Sequence, residues 1–416
     1  MKIFKFGGAS VKDAPSVRNV AKILGMYRPP YVVVVSAIGK TTNALEKLTK
    51  NYVYELGDPK ILLDEIKTFH IGIVRDLFGE TDGQVRKKLD GIFGRLEVII
   101  HQRPEGGYDF IYDQIVSAGE ALSTLIVSLY LNKAGIKNTC VDARSFIITD
   151  ECHREGSVIW DESLTRINEV VCSDVIITQG FIGATLAGKT TTLGREGSDY
   201  SAAIIAYLLN ADEIIIWKDV PGMLNADPNM FQNTRKLNNI SYREAIELAF
   251  FGASVIHPKT IKPLQNKKIP LWIKSFLNPE EKGTLINDNT ADDDKIPSFI
   301  FKQKQVLISI SPKNFTFIVE ENLSQIFNYF YCHKIRINLM QNSAINFSVC
   351  VDDNEHNLPE LIKDLQKSFV VLYNREVELL TVRHYNEKTL TRLTKNKKIL
   401  LEQKTRHTAR FALKDV

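Results

Sequence analysis

Four short apolar runs, separated by amphipathic stretches, occupy the first half of this sequence. The runs lie at residues 3–6, 31–37, 175–178 and 213–217. Because their apolar residues follow one another without polar alternation, they predict strands that are buried on both faces of a parallel sheet. The stretches between them, such as 16–24 and 198–209, predict helices on both sides of that sheet. This part of the chain is therefore predicted to have an α/β fold.

Beyond residue 288 the pattern changes. Residues 287–295, NDNTADDDK, are polar and acidic, which is typical of a linker. After them, short strands and helices are predicted in the order β-α-β-β-α-β, with the first strand at 305–311 and the last at 369–373. This is the order of a ferredoxin-like module. We therefore predict an α/β domain at 1–288 with a helical insertion at about 44–110, a complete ferredoxin-like module at 298–374, and a truncated second module at 375–416.

The composition excludes several classes of protein. Of the 416 residues, 44% are hydrophobic and 25% are charged, which is ordinary for a globular protein and excludes a largely disordered chain. The net charge of +4 is too small to indicate nucleic-acid binding. The five cysteines are scattered without C-x-x-C spacing, so we expect reduced thiols and no disulfide framework or zinc site.

We expect a cytoplasmic protein that binds neither a membrane nor a nucleic acid. No continuous apolar run approaches the roughly 18 residues that a membrane helix needs. The first residues, MKIFKFGG, lack the apolar core and the cleavage site of a signal peptide. The basic stretch at 388–410 contains no aromatic residues for base stacking, which favours a solvated face or a subunit contact.

Two polar segments follow the first two predicted strands. Lys5 lies on the first strand, and Gly7 and Gly8 end it. Glycines between a strand and a helix let backbone N–H groups approach an anion, so this turn is a candidate phosphate site. A tight turn with a solvated lysine is the structural alternative. The segment 36–43, SAIGKTTN, follows the second strand, and the carboxyl ends of parallel strands are where α/β sheets bind ligands.

The segment 191–203, TTLGREGSDYSAA, carries the strongest signal. Arg195 lies on a glycine-rich loop, where a planar guanidinium suits bidentate binding of a carboxylate or phosphate. Ser198 is predicted to cap the following helix, and Asp199 at the helix start has capping as its structural alternative. The preceding residues 183–190 match the nucleotide P-loop pattern. Because β-branched residues and a glycine follow the match, we predict a hairpin tip at 184–189.

Taken in order, seven strings resemble the aspartate kinases of the amino acid kinase family. They are KFGGAS at 5–10, VVSAIGKTTN at 34–43, SAGE at 117–120, QGFIGA at 179–184, TTLGREGSDYSAA at 191–203, WKDVPG at 217–222 and FGASVIHP at 251–258. The resemblance covers essentially the whole chain. It implies a three-layer amino acid kinase fold with a mostly parallel central sheet, followed by ACT modules, which are ferredoxin-like units that bind regulatory amino acids.

The resemblance also implies a reaction. ATP would phosphorylate the side-chain carboxylate of L-aspartate to 4-phospho-L-aspartate, the first step toward lysine, threonine and methionine. By motif position, Lys5 would neutralise the transferring phosphoryl group and Asp199 would orient Lys5. Arg195 would bind a carboxylate of aspartate and Glu120 its ammonium group. Ser36, Thr42 and Ser198 would complete the aspartate pocket.

The nucleotide site is implied in the same way. Its residues would be Lys5, Gly7, Gly8, Lys218, Asp219, Leu224 and Ser254. We expect Mg²⁺ to accompany the ATP phosphates, and no metal-binding side chain is assigned.

This sequence departs from the family pattern at the nucleotide site. The family commonly has threonine at Lys218, tyrosine at Leu224, arginine at Asn229 and lysine at Ser254, and the family's GRGG loop carries Glu196 here. Two cations near the nucleotide phosphates are therefore missing, and such losses can cost orders of magnitude in rate. We hypothesise that Lys218 partly replaces them.

The carboxy-terminal modules imply regulation and assembly. By resemblance, an amino acid effector, lysine or threonine, would bind near Asn314, Phe315, Asn338 and Ser343, and the ACT modules would pair into a homodimer. Two alternatives stay open. One is a kinase of the same fold for another amino acid carboxylate. The other is a catalytically weakened amino acid sensor, an alternative that is motivated by Asn229, Ser254 and the truncated module.

Overall fold

The computed structural model describes residues 1–79, 83–170, 173–253, 255–314 and 316–415. The chain forms two compact units. The first comprises Met1–Met223, Asn238–Ile246 and Val255–Thr290, and the second comprises Leu224–Leu237, Glu247–Ser254 and Ala291–Val416.

The chain up to residue 290 contains both strands and helices, with five helices in succession between β2 and β3. The strands are β1 (Lys2–Phe6), β2 (Tyr31–Val35), β3 (Thr139–Val141), β4 (Ile148–Thr149), β5 (Val175–Gln179), β6 (Ile182–Thr185), β7 (Thr190–Thr192), β8 (Glu213–Lys218), β9 (Asn239–Ser241), β10 (Leu271–Ser275) and β11 (Thr284–Asn287). The helices are α1 (Ala14–Leu24), α2 (Thr41–Tyr54), α3 (Pro59–Phe78), α4 (Gly83–His101), α5 (Tyr108–Val116), α6 (Ala118–Lys133), α7 (Trp160–Val170), α8 (Gly197–Leu208), α9 (Tyr242–Phe251) and α10 (Pro258–Lys267).

The predicted strands form the centre of an eight-stranded sheet in the order β3-β5-β2-β1-β8-β10-β11-β9. Every neighbouring pair is parallel except β10 and β11. All residues of β2 and β5 are buried, which fits their unbroken apolar sequences. The α/β fold with a mostly parallel sheet is confirmed.

The register of the sheet brings the sequence motifs together. Phe6 pairs with Val35 on one side and with Trp217 on the other. The segments that follow β1, β2 and β8 therefore leave the sheet at the same edge. This edge holds the Gly7–Gly8 turn, the segment at 36–43 and Lys218.

A small second sheet in the order β4-β6-β7 contains the P-loop-like string. Strands β6 and β7 pair antiparallel, and Gly188 N donates to Thr185 O at 2.9 Å across the turn between them. Gly188 has φ of 77°, which a glycine adopts without strain. The predicted hairpin tip is confirmed, and no helix follows the lysine as a P-loop requires.

Helices α2 to α5 occupy the region predicted as a helical insertion. The helical stretch Tyr108–Lys133, which spans α5 and α6, is long and apolar enough to cross a membrane. However, 72% of its most apolar window is buried inside the protein, so we interpret it as a core helix.

The second unit contains a six-stranded antiparallel sheet in the order β13-β14-β12-β15-β17-β16. Its elements are β12 (Ser298–Pro312), α11 (Glu320–Cys332), β13 (Ile337–Asn342), β14 (Phe347–Asp352), α12 (Asn357–Ser368), β15 (Phe369–Arg383), α13 (Glu387–Thr394), β16 (Lys397–Lys404) and β17 (Thr408–Asp415). The order from β12 to β15 is the predicted β-α-β-β-α-β.

Two of these strands are longer than the sequence suggested. Short strands were expected at 305–311 and 369–373, but β12 and β15 each have 15 residues and pair along most of their length. β15 pairs with β12 on one side and with β17 on the other, so it joins β13, β14 and β12 to β17 and β16 in one sheet. The domain boundaries at 298–374 and 375–416 stay predictions.

Candidate active site

Two lysines from neighbouring strands meet one buried carboxylate. Lys5 Nζ lies 2.5 Å from Asp199 Oδ1, and Lys218 Nζ lies 3.1 Å from Asp199 Oδ2. Asp199 is in the first turn of α8, and its side chain is only 3% exposed. Helix α8 packs on β1 and β8. The structure therefore brings together Lys5, Asp199 and Lys218, whose pairing no single motif showed.

Electrostatics keep Asp199 ionised. Burial by itself would raise the pKa of Asp199, but the nearby ammonium groups of Lys5 and Lys218 outweigh burial and hold that pKa below its usual range. A buried carboxylate between two ammonium groups carries one negative charge against two positive ones. The cluster therefore has a net positive charge and can attract an anion.

The turn at Gly7 and Gly8 is tightly enclosed. A Cβ at Gly8 would lie 2.8 Å from Ala37 O, and Gly39 N donates to Gly8 O at 3.1 Å. A Cβ at Gly7 would lie 3.3 Å from Lys5 Nζ. Glycine at these two positions thus lets the turn pack against the segment after β2 and leaves room around the Lys5 ammonium.

Glu120 brings a second carboxylate to this edge. It lies in the first turn of α6 and is 2% exposed. Its Oε1 accepts a hydrogen bond from Ala37 N at 3.3 Å, while Oε2 has no hydrogen-bond partner among the described residues. Burial raises the pKa of Glu120 to about 8, although the Ala37 N–H and Lys5 act in the opposite direction. A buried oxygen without a partner is ready to receive a cationic group.

The loop before α8 carries Arg195. Gly194 and Glu196 on either side of it have φ of 77° and 54°, and Arg195 is exposed and forms no ion pair within the part of the chain that the structure describes. A Cβ at Gly180 would lie 2.5 Å from Ser198 Cβ, so glycine there lets the start of α8 approach the end of β5. This role of Gly180 was missed, although its motif was recognised.

The predicted cap of this helix is wrong. Helix α8 begins at Gly197, with Glu196 as the N-cap residue, and no cap side chain forms a hydrogen bond there. Ser198 lies within the first turn and is nearly buried. The left-handed conformation of Glu196 starts the helix earlier than a serine cap would.

The other residues assigned to the aspartate pocket lie close along the chain. Ser36 directly follows β2, and its N donates to Phe6 O at 3.1 Å. Thr42 lies in the first turn of α2. Both side chains are half-buried. Their roles stay predictions.

The remaining nucleotide residues are more scattered. Asp219 follows β8 and is exposed. Leu224 belongs to the second unit, where it forms a β-bridge with Lys236. Ser254 lies outside the described residues. These three assignments stay predictions.

The predicted regulatory residues lie in the second unit. Asn314 is exposed, and its Oδ1 accepts a hydrogen bond from Thr316 at 2.8 Å. Asn338 is buried in β13, and its Oδ1 accepts from Lys302 Nζ at 3.0 Å. Ser343 N donates to Asn346 O at 2.8 Å. Phe315 lies outside the described residues. An effector role stays a prediction for all four.

Comparison with known families identifies this arrangement. The model of the amino acid kinase family matches residues 1–275. The chain belongs to the amino acid kinase family. That match contains the Lys5, Glu120, Arg195, Asp199 and Lys218 positions, and it confirms the family resemblance inferred from the motifs.

Within this family, the chain is similar to aspartokinases. It is 30% identical over 360 residues to lysine-sensitive aspartokinase 3 of Escherichia coli K12, covering 84% of this chain and 78% of the relative. It is 31% identical over 398 residues to chloroplastic aspartokinase 1 of Arabidopsis thaliana, covering 89% of this chain and 68% of the relative.

Solved structures agree with this similarity. The structure of E. coli aspartokinase III in complex with lysine and aspartate superposes with a TM-score of 0.85 at 25% identity, covering 99% of this chain and 95% of that chain. The same enzyme in complex with aspartate and ADP gives a TM-score of 0.82 at 25% identity, covering 99% and 96%.

Proposed function

We propose that this chain is an aspartate kinase, which transfers the terminal phosphoryl group of ATP to the side-chain carboxylate of L-aspartate. The observation that carries the proposal is the Lys5–Asp199–Lys218 cluster at the same sheet edge as Glu120. The similarity to aspartokinases, among them one solved with aspartate and ADP, supports it.

The substrate is an amino acid because the pocket residues carry both signs of charge. Arg195 is exposed and forms no ion pair with the described residues, so its guanidinium can donate to a carboxylate. Glu120 Oε2 is buried without a partner in the described chain and accepts an ammonium group. Ser36, Thr42 and Ser198 supply short polar side chains to the rest of the pocket.

The reaction needs neutralised charge and correct alignment more than a protein base. A carboxylate oxygen of aspartate attacks the terminal phosphorus, the bond from phosphorus to the bridging oxygen breaks, and its electron pair stays with ADP. Lys5 and Lys218 neutralise the phosphate oxygens, and the N–H groups of Gly7 and Gly8 donate to them. Asp199 holds both ammonium groups in place.

We expect Mg²⁺ to act with ATP by neutralising phosphate charge. The described residues contain no group of three histidine, cysteine, aspartate or glutamate side chains that could hold a metal ion. Asp199 is occupied by two lysines. We therefore propose that the phosphates and water supply most of the ligands of Mg²⁺.

One assay tests the function against its alternatives. The purified chain is incubated with ATP, Mg²⁺ and hydroxylamine, and acyl hydroxamate is measured with aspartate, glutamate and N-acetylglutamate as acceptors. Hydroxamate with aspartate alone is the expected result. Product only with another acceptor would instead identify a different carboxylate kinase. No product, together with thermal stabilisation by lysine or threonine, would identify an amino acid sensor.

The raised pKa of Glu120 predicts that aspartate binds more weakly at lower pH. Below about pH 8, the carboxyl group of Glu120 is protonated when no substrate is bound. It must lose this proton before it pairs with the ammonium group of aspartate. We expect the KM for aspartate to rise by about tenfold from pH 9 to pH 7. Glu120 is mostly ionised at pH 9, and pH 7 lies about one unit below its pKa, where the ionised fraction is about tenfold lower. Steady-state kinetics across this range measure the effect.

The matched control is Glu120→Gln, which keeps the side-chain shape and removes the titration. Its KM for aspartate should be higher at pH 9 and should no longer vary with pH. The KM for ATP serves as the internal reference. A wild-type KM for aspartate that stays constant over this range would contradict the role of Glu120.

The second unit is proposed to regulate the kinase as a pair of ACT modules. Its β-α-β-β-α-β order supports this, and the similar E. coli enzyme was solved with lysine. Lysine or threonine is the proposed effector, and its proposed site lies near Asn314, Phe315, Asn338 and Ser343. We also propose that the protein is a cytoplasmic homodimer that pairs through its ACT modules. A gel-filtration mass near 47.1 kDa would contradict the dimer.

A further inference from the structure

We propose that Asp113 is a positioning residue that sets the distance between Glu120 and Arg195 in the proposed aspartate pocket. Its buried carboxylate joins the helix before Glu120 to the strand before Arg195. The inference rests on the proposed function, because Glu120 and Arg195 are the groups assigned to the two charged ends of aspartate. No sequence motif pointed to Asp113, since its partners lie far along the chain.

Three hydrogen-bonding groups converge on this carboxylate. Thr192 Oγ1 donates to Asp113 Oδ1 at 2.7 Å, and Arg154 N donates to Oδ2 at 3.0 Å. His153 Nδ1 lies 2.8 Å from Oδ2. Asp113 is 0% exposed. Hydrogen bonds are stronger in the low dielectric of the protein interior than in water, so the contacts of Asp113 with Thr192, His153 and Arg154 form a rigid junction.

Thr192 connects this junction to the loop that carries Arg195. Thr192 is the last residue of β7, and Leu193 N donates to Phe181 O at 2.9 Å. The next residue, Gly194, is in close contact with Arg154, whose carbonyl oxygen would lie 3.3 Å from a Cβ there. The position of Thr192 and of the residues around Arg154 therefore determines where the Arg195 loop begins.

The backbone at Arg154 needs external support. Arg154 has φ of 68°, which is unfavourable for a residue other than glycine. Its N–H bond to Asp113 holds this conformation, and its guanidinium packs 4.6 Å from the centre of the Tyr112 ring. Gly156 N also donates to Thr192 O at 2.9 Å. The segment at 154–156 is thus bound to β7 directly and through Asp113.

Helix α5 connects the same junction to Glu120. Asp113 lies in α5, and α6 follows it after Ser117 alone, with Glu120 in its first turn. The neighbouring Gln114 Nε2 donates to Thr190 O at 3.0 Å, so α5 is joined to β7 at two points. Loosening this junction is expected to change the separation of Glu120 and Arg195, whereas Lys5 and Lys218 lie on β1 and β8 of the other sheet.

The test compares two neighbouring threonines of β7. Thr192→Val removes only the hydroxyl group that donates to Asp113. Thr191→Val is the matched control, because Thr191 is also fully buried and its hydroxyl contacts Thr149 at 2.7 Å instead. Kinetic constants for aspartate and for ATP are measured for both variants, for Thr192→Ser, which keeps the hydroxyl, and for Asp113→Asn.

We expect Thr192→Val to raise the KM for aspartate about tenfold, as loss of one buried hydrogen bond of about 1.4 kcal/mol predicts, with the KM for ATP within twofold of wild type. Thr192→Ser should restore the KM for aspartate. Equal increases in Thr191→Val and Thr192→Val, or no change in Thr192→Val, would overturn the proposal. Wild-type turnover of aspartate, measured first, separates this failure from failure of the proposed function. If Asp113→Asn does not fold, the threonine variants still decide.

Discussion

Lys5→Met is expected to lower kcat for aspartate phosphorylation by about a thousandfold, the upper range for losing one donor to a transition-state charge. Lys5 lies at the end of β1 with its Nζ 2.5 Å from Asp199 Oδ1 and 3.3 Å from the position of a Cβ at Gly7. Methionine keeps the length of the side chain and removes its charge. The KM for aspartate should change much less than kcat, because Lys5 acts on the phosphoryl group.

The control for this variant is Lys189→Met. Lys189 is exposed at the tip of the β6–β7 hairpin, so it loses the same charge away from the Asp199 cluster. Circular dichroism of both variants shows whether the fold is retained. A folded Lys5→Met protein with kcat within tenfold of wild type would contradict the assignment of Lys5 as a catalytic residue.

Lys218→Thr should lower kcat by about a hundredfold, again within the range for one neutralising donor. The substitution introduces the residue that the family commonly has, so a family average would predict no loss. The structure predicts a loss because Lys218 Nζ lies 3.1 Å from Asp199 Oδ2, beside the proposed phosphate site. The lysine that the family commonly has at Ser254 is absent here and cannot compensate.

One further variant sharpens this prediction. Lys218→Arg keeps the positive charge and should retain most of the activity. Initial rates at saturating aspartate, with ATP varied, measure both kcat and the KM for ATP. Unchanged turnover in Lys218→Thr would refute the hypothesis that Lys218 replaces a missing cation.

The central sheet was predictable because each of its predicted strands is a run of apolar residues that are adjacent in the chain. Runs such as YVVVV at β2 are apolar at every position, and only a strand covered on both faces buries all of them. The hairpin at 184–189 was predictable for a similar reason, since β-branched residues and a glycine follow its lysine. Local composition decided these elements.

The long strands of the second unit were not predictable in this way. Residues 302–304 of β12 are polar, and the sequence suggested that the strand begins after them, at Gln305. β12 pairs with β15 at Lys302 and again from Gln305, and the strand continues across an irregularity at 303–304, where Lys304 has φ of 53°. Backbone hydrogen bonds to a neighbouring strand stabilise an extended chain whatever the side chains are.

The sequence by itself determined the family, the parallel sheet and the glycines at Gly7 and Gly8, because these depend on residues that are adjacent in the chain. Only the tertiary structure decided which charges meet. Lys218 pairs with Asp199, Glu120 lies 83 positions from Ala37, and Asp113 lies 79 positions from Thr192. Such contacts depend on how parallel strands align at one edge and how helices pack on them. Their consequences, a raised pKa at Glu120 and a net positive cluster at Asp199, follow from burial and distance, which no local pattern contains.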